Sequence, residues 1–235
     1  MIVATRGIVL RLTPYKETSL IGRVFTRQLG VRSYLFKGVR GAKGKKRQSA
    51  LHPLACIDMV VYESDKTTLC NVKEYSLMDG QDMPTPAGNA LAFFASELLY
   101  RTLQTDDPMP MLFDYVEHFA QQRDSAPPQM MPLQFMLNLS FHLGIEPLNN
   151  YSTSTPLFSV VEGRFVGCDT GQELSPDMSL HLHQLLEAIA SNYAPPVMSF
   201  EQRSQLLEAL LLYYQTHVSG FRKLFSNEIM HDVLR

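Results

Sequence analysis

The stretch SLIGRVFTRQLGVRSYLFK, residues Ser19 to Lys37, decides the fold of this 235-residue chain. Its residues alternate between two faces, as they do in a half-buried β-strand. A short turn signal, Gln28-Leu29-Gly30, interrupts the alternation, so the stretch predicts a β-hairpin of Ser19–Arg27 and Val31–Lys37. In the first strand, one face carries Leu20, Gly22, Val24 and Thr26, and the other carries Ile21, Arg23, Phe25 and Arg27.

Segments on both sides of this hairpin also predict strands. Gly7–Leu12 alternates before it, and Leu54–Tyr62 and Thr68–Tyr75 follow it. Five short antiparallel strands within the first 80 residues suggest a small closed barrel, of which the OB-fold is one common type. We therefore predict an OB-fold β-barrel domain over residues 1–80.

Helices dominate after the segment DGQDMP, residues 79–84. Thr85 followed by Pro86 is typical of a helix N-cap with proline in the first turn. The fold class is therefore α+β, with a helical domain over residues 81–235 and a small β-hairpin near residues 157–166, split by Glu162-Gly163. Further helices are predicted over Pro110–Gln122, Pro132–Leu143, Ser175–Ala190, Ser199–Val218 and Ser226–Leu234.

Basic residues concentrate near the N-terminus. Twelve of the first 57 residues are Lys or Arg, and Glu17 is the only acidic one among them. Through Asp82 the chain has 14 basic and 7 acidic residues, whereas from Met83 onward it has 7 basic and 16 acidic, for a net charge of −2 overall. A local positive field of this kind attracts a polyanion, most commonly nucleic acid. The alternative is a solvated basic face that keeps the protein soluble.

Binding of single-stranded nucleic acid requires cations along the phosphates and aromatic faces on which bases stack. Tyr34 shares one face of a predicted strand with Arg32, and the segment Gly38–Arg47 predicts a flexible basic loop. Phe25 and Phe36 lie among the same cations, and filling the barrel is an equal alternative for both. The candidate nucleic-acid-binding residues are Arg11, Arg23, Arg27, Arg32, Tyr34, Lys37, Arg40, Lys43, Lys45, Lys46 and Arg47.

Catalytic and cofactor motifs are not recognisable in the sequence. A phosphate-binding Walker A loop needs a glycine five residues before Gly44, where Val39 stands. No nucleophile elbow is visible. Cys168, His181 and His183 lie close in sequence, but a structural zinc site usually needs four ligands with closely paired cysteines. We therefore expect no enzyme activity, no cofactor and no metal.

Cysteine usage and hydropathy indicate the compartment. The three cysteines are odd in number and far apart, which fits a reducing environment and argues against a disulfide framework. No apolar run approaches the roughly 18 residues that a membrane span requires, and no secretory signal is visible. A cytoplasmic protein without membrane contact is therefore expected.

Four short runs resemble landmarks of the RecO family of DNA repair proteins. They are Gly7-Ile8-Val9-Leu10-Arg11, Lys37-Gly38-Val39-Arg40, Leu51-His52-Pro53-Leu54 and Leu143-Gly144-Ile145-Glu146-Pro147. The resemblance implies an N-terminal OB-fold, a helical domain and a non-enzymatic, nucleoid-associated recombination mediator. It implies binding to single- and double-stranded DNA, and annealing of complementary strands. It also implies two protein partners, RecR and the acidic C-terminal tail of single-stranded DNA-binding protein, with which RecA is loaded.

One feature departs from the pattern of many family members. They carry a four-cysteine zinc site after the Leu-Gly-x-x-Pro segment, whereas this chain continues with Asn149-Asn150-Tyr151 and retains only Cys168. We therefore expect apolar packing, without zinc, to hold the hairpin that follows. The expected packing residues are Leu157, Val160, Phe165 and Val166.

Three other functions remain open from the sequence. An RNA-binding OB protein would use the same basic barrel, and competition between DNA and RNA oligonucleotides separates the two. An interaction adaptor would dock the basic segment on an acidic protein and would ignore nucleic acid at low salt. An enzyme whose residues assemble only in space is the third.

Overall fold

The computed structural model describes residues 1–41, 49–63, 68–78, 85–103, 106–124, 127–168, 171, 173–226 and 230. The chain forms two compact units, Met1–Ala126 and Pro127–Arg235. The first unit holds a closed barrel and two helices, and the second holds three helices and a small hairpin within the described residues.

Five strands form the barrel in the order β1-β2-β3-β5-β4, closing between β4 and β1. All neighbouring pairs are antiparallel except β3 and β5, which run parallel. The predicted five-stranded OB-type barrel is therefore confirmed, and only the strand ends differ. The strands are β1 (Ile2–Tyr15), β2 (Ser19–Thr26), β3 (Gly30–Phe36), β4 (Cys56–Tyr62) and β5 (Leu69–Leu77).

The β2–β3 hairpin follows the predicted alternation. Leu20 and Val24 pack in the barrel interior together with Tyr34 and Phe36 of the opposite strand. Gly30 begins β3 with a φ of +66°, a left-handed conformation that glycine adopts without steric cost. Arg23 and the other odd-numbered residues of β2 consequently point away from the interior.

Both faces of β1 are buried near its middle, which alternation alone does not predict. Val9 belongs to the interior, yet its neighbours Ile8 and Leu10 are also buried. Helix α1 (Pro86–Thr102) packs against β1. In helix α2 (Pro110–Gln122), the ring of Phe113 contacts that of Phe25 edge-on, with ring centroids 5.4 Å apart. The first unit therefore extends to residue 126, whereas the predicted division near residue 80 marks the change from strands to helices.

The second unit contains the remaining predicted elements. A hairpin of β6 (Leu157–Ser159) and β7 (Arg164–Val166) precedes two of its three helices. The predicted capping box is present, because the Ser199 hydroxyl accepts from the Gln202 amide at 3.2 Å and the Gln202 side chain accepts from the Ser199 amide at 2.8 Å. The helices are α3 (Met131–His142), α4 (Pro176–Ser191) and α5 (Phe200–His217), and the helix predicted at 226–234 lies largely outside the described residues.

Apolar and aromatic packing holds the hairpin, as expected. Phe158 and Phe165 are buried with ring centroids 5.1 Å apart, and Val160 is buried beside them. Leu157 and Val166 are only half-buried. Phe158 was not predicted to pack here, although strand alternation places it on the same face as Val160.

Candidate nucleic-acid interface

Two arginines face each other on the outer surface of the barrel. Arg11 of β1 and Arg23 of β2 are directly opposed in the antiparallel pair. Both point outward, because Gly22 and Val24 beside Arg23, and Leu12 beside Arg11, face the barrel interior. Within the described residues, neither makes an ion pair with a carboxylate. Like charges placed directly opposite each other repel, so an external anion bound here relieves that repulsion.

Arg11 has one further contact, with helix α1. Its Cζ atom lies 5.1 Å from the centre of the Tyr100 ring, within the range of a cation–π interaction. The Cζ atom of Arg101 lies 5.9 Å from the same ring. The α1 helix therefore adds an aromatic side chain to a surface that the strands supply with cations.

The end of the barrel beside the β1–β2 turn carries more exposed cations. The amide of Arg40 donates to the carbonyl oxygen of Thr18 at 2.9 Å, and its Nη1 donates to the carbonyl oxygen of Lys16 at 3.3 Å. These bonds tie the segment after β3 to this turn. We define the basic surface as the exposed or half-exposed side chains of Arg11, Lys16, Arg23, Lys37 and Arg40.

Only the beginning of the predicted loop Gly38–Arg47 belongs to the described residues. There Val39 packs in the barrel core, which the prediction of a flexible loop did not include, and Leu51 after the loop packs in the same core. The four candidate residues in this loop lie outside the described residues: Lys43, Lys45, Lys46 and Arg47.

Arg27 forms an ion pair with a residue of helix α2. Its Nε and Nη2 atoms donate to the two oxygens of Asp114 at 2.8 and 3.0 Å. This hydrogen bonding raises the pKa of Arg27 and lowers the pKa of Asp114. Arg6 is engaged in the same way, with Nη1 donating to Glu117 Oε2 at 2.6 Å. Whether Arg27 binds DNA stays a prediction, and Asp114 would then compete with the phosphate for its guanidinium.

Arg32 and Tyr34 lie on the inner side of β3, where they contact a buried carboxylate. Arg32 Nη1 donates to Glu63 Oε2 at 2.6 Å, and the Tyr34 hydroxyl donates to Glu63 Oε1 at 3.0 Å. Burial acts to lower the pKa of Arg32, but Glu63 raises it, and the net direction is upward. Burial also raises the pKa of Tyr34, whose side chain is fully buried.

Tyr34 therefore cannot serve as a stacking platform, and this expectation is corrected. The sequence placed Tyr34, Phe36 and Arg32 on one strand face, which is right, but that face is the barrel interior. Phe36 fills the barrel, and Phe25 is covered by α2 on the outside. The sequence contained a signal for Phe25, because it lies on the outward strand face between two arginines. An apolar ring at such a position is expected to pack against another element of the fold.

Metal ligation finds little support in the second unit. Cys168 is exposed and lines a cavity of about 330 Å³ together with Glu162, Arg164 and Glu173. One thiol beside a cation does not fit a four-thiolate zinc site. Among the described residues no group of three His, Cys, Asp or Glu side chains could hold a metal ion.

His183 has a structural environment instead. Its ring stacks on Tyr151 with centroids 4.4 Å apart, and its Nδ1 lies 2.8 Å from Asn149 Oδ1.

No helix in the described part of the chain is long and apolar enough to cross a bilayer.

Comparisons with known proteins match nearly the entire chain. The family model described as "Recombination protein O N terminal" matches residues 1–81, and "Recombination protein O C terminal" matches residues 83–224. The chain is 27% identical to the DNA repair protein RecO of Christiangramia forsetii over 240 residues, covering 99% of both chains. The RecO proteins of Porphyromonas gingivalis and Bacteroides fragilis are also 27% identical, covering 98% and 99% of each chain. With a cationic barrel followed by a helical unit, and with both halves matched in order, this chain belongs to the RecO family of DNA repair proteins.

Proposed function

We propose that this protein binds single- and double-stranded DNA through the basic surface and anneals complementary strands. The observation that carries the proposal is the opposed pair Arg11 and Arg23, which has no carboxylate partner among the described residues. Lys37 and Arg40 extend this positive charge toward the basic loop. Cations of this kind bind phosphates, which are the same at every position of DNA, so the binding is expected to tolerate any sequence.

Annealing follows from electrostatics alone in this proposal. Two DNA strands repel each other through their phosphates, and a positive surface that holds both lowers that repulsion. Bases then pair without any covalent step, so the activity needs no catalytic residue. We accordingly propose a non-enzymatic mediator.

The protein partners are proposed on family membership. RecR and the acidic C-terminal tail of single-stranded DNA-binding protein would bring the protein to coated DNA at the nucleoid and help load RecA. The second unit has 5 basic and 10 acidic residues, whereas the first has 16 basic and 13 acidic. DNA is therefore expected on the first unit, which leaves the second available for protein contacts.

Fluorescence anisotropy with labelled oligonucleotides tests the DNA-binding surface. The double variant Arg11→Glu/Arg23→Glu is expected to weaken binding to single and double strands by about ten-fold or more. Its slope of log affinity against log salt should fall by about 1.4 for single strands, since each lost phosphate contact removes about 0.7.

The matched control carries the same change of net charge in the second unit. Arg222 and Lys223 are both exposed there, and Arg222→Glu/Lys223→Glu should leave affinity and salt slope nearly unchanged. Equal losses in both variants would mean that only net charge matters, and would contradict a defined surface. Unchanged affinity in Arg11→Glu/Arg23→Glu would remove the surface from the proposal.

The basic loop is tested by a separate variant. Reversal of Lys43, Lys45, Lys46 and Arg47 to glutamate is expected to abolish most DNA binding while the circular dichroism spectrum stays unchanged. Affinity equal to that of the wild type would exclude the loop, but it would leave the strand surface in place.

An RNA oligonucleotide of the same sequence, used as competitor, decides whether the surface prefers DNA.

A further inference from the structure

We propose that Tyr100 and Arg11 together form a stacking platform for one unpaired base, so that the basic surface distinguishes single strands from duplexes. The inference rests on the proposed DNA binding and adds a residue of helix α1 to it. Tyr100 then takes the base-stacking role that the sequence suggests for Tyr34.

The geometry places two guanidinium groups around one ring. The Cζ atom of Arg11, on the barrel, lies 5.1 Å from the ring centre of Tyr100, and that of Arg101 lies 5.9 Å from it. Glu97 fixes Arg101 from one helical turn away, with Nη2 and Oε1 3.6 Å apart. Tyr100 is half-exposed and Arg11 is exposed, so this cluster lies at the surface.

Stacking on such a cluster requires a base whose faces are free. Bases that leave the helical stack bind on aromatic rings and on arginine guanidinium planes, and both kinds of surface are present here. In a duplex the faces of each base are covered by its neighbours, so a duplex meets only the charges. The platform therefore adds affinity for single strands and leaves duplex binding to the phosphates.

Other aromatic residues of the first unit do not offer the same arrangement. Phe25, Tyr34 and Phe36 are fully buried. Tyr15 has the ammonium group of Lys16 at 5.4 Å, but an ammonium group has no plane on which a base can stack. Tyr100, by contrast, reaches the surface and has two arginine guanidinium groups around its ring.

Absence of tryptophan from the chain allows a direct test. The variant Tyr100→Trp carries a single tryptophan, whose emission reports on its immediate surroundings. We expect a saturating single-stranded oligonucleotide to quench this emission, and a saturating duplex of the same sequence to leave it nearly unchanged. Tyr62→Trp is the matched control, because Tyr62 is an exposed tyrosine on β4 without a described guanidinium over its ring.

Affinity measurements provide the second readout. Tyr100→Leu keeps an apolar side chain without the ring, and it should weaken single-strand binding by about 5-fold to 150-fold, as expected for one lost base stack. Duplex affinity should stay within about two-fold, which also shows that the variant is folded. Tyr100→Phe should retain the wild-type preference, since the ring is what stacks.

The outcomes separate this inference from the proposed function. If the wild type binds neither form of DNA, the proposed function fails. If the wild type binds DNA but emission at position 100 is unchanged by single strands, or Tyr100→Leu weakens both forms equally, the stacking platform is wrong and the basic surface remains. Equal quenching of Tyr62→Trp by single strands would also overturn the platform.

Discussion

Arginine side chains of the barrel differ in what they contact, and these contacts decide which of them can meet a phosphate. Arg27 and Arg32 each bond to a carboxylate, whereas Arg11 and Arg23 face one another. A carboxylate that binds a guanidinium offsets its charge, which weakens the attraction of that arginine for a phosphate. At the scale of single residues, the same residue type is therefore structural at some positions and available for binding at others.

Glu63 is the buried carboxylate that binds Arg32. It is 7% exposed and accepts hydrogen bonds from Arg32 and Tyr34. We expect Glu63→Gln to lower the free energy of unfolding by about 1–3 kcal/mol, because a charged acceptor in a buried network is lost. Urea denaturation measures the change. Glu74→Gln, at an exposed position of β5, should stay within about 0.5 kcal/mol of the wild type.

Tyr34 gives a prediction about function as well as stability. Tyr34→Phe removes the hydroxyl that donates to Glu63, and it should cost about 1 kcal/mol of unfolding free energy. Its affinity for single-stranded DNA should equal that of the wild type, because the ring is inside the barrel. A large loss of DNA affinity, with stability retained, would restore Tyr34 as a contact residue.

At the scale of elements, helix α2 closes the outer face of the β1–β2 pair. Phe113 is fully buried against Phe25. Asp114 and Glu117 of the same helix accept hydrogen bonds from two arginines of the barrel. Apolar contact and charge therefore act together: the rings fill the interface, while the ion pairs fix the helix position. Without the helix, Phe25 would be exposed to water on a cationic surface.

Packing is expected to supply most of the stability of this helix contact. Phe113→Ala should cost about 3–5 kcal/mol in unfolding free energy, the usual range for truncating a buried phenylalanine. Met111 lies on the same helix and is 74% exposed. Met111→Ala should therefore have little effect in the same urea titration, because alanine is a better helix former than methionine and no buried contact is lost. An equal loss in both variants would contradict a specific contribution of the buried Phe113 ring.

The ion pair between Arg27 and Asp114 predicts a pH dependence. The folded-state pKa of Asp114 is lowered from 3.8 by its hydrogen bond to Arg27. The pair therefore adds stability above that value, and this contribution is lost as pH falls through the lowered pKa. Asp114→Asn should lower Tm at about pH 6, and the difference should shrink as pH falls below 3.8, the ordinary pKa of the carboxyl group.

A matched exposed carboxylate serves as the control for this pH prediction. Asp58 of β4 is exposed and makes no ion pair among the described residues. Asp58→Asn should leave Tm close to that of the wild type at both pH values. A Tm difference for Asp114→Asn that persists unchanged in acid would contradict an electrostatic origin.

Over the whole molecule, charge is distributed unevenly between the two compact units. The first unit is net positive and the second is net negative. A polyanion should therefore bind the first unit and be repelled by the second. The uneven charge explains how a chain with a sequence pI of about 6.4 can still belong to a family of DNA repair proteins.

Strand annealing tests this distribution in the intact protein. Annealing of complementary oligonucleotides should be fast in dilute buffer and slow markedly between about 50 and 200 mM salt, because salt competes for the phosphates. Arg11→Glu/Arg23→Glu should anneal slowly even in dilute buffer. Annealing that is insensitive to salt would contradict a mechanism based on charge screening.

Local sequence was sufficient for the elements and for the overall type of fold. Strand alternation with the Gln28-Leu29-Gly30 turn predicted the β2–β3 hairpin, and Thr85 with Pro86 predicted the start of α1. These features depend on backbone preferences and on residues close together in the chain. Patterns of this kind can be read without any tertiary contact.

The sequence by itself determined a cationic barrel followed by helices, because charge count, side-chain alternation and helix caps are local properties. Only the tertiary structure decided which face of the β2–β3 hairpin is the interior, and thus that Tyr34 is buried while Arg23 is half-exposed. It also decided that Asp114 neutralises Arg27 and that Tyr100 meets Arg11, contacts between residues 87 and 89 positions apart. The physical reason is that burial and ion pairing depend on which distant elements the fold brings together, and a periodic pattern contains no information about those partners.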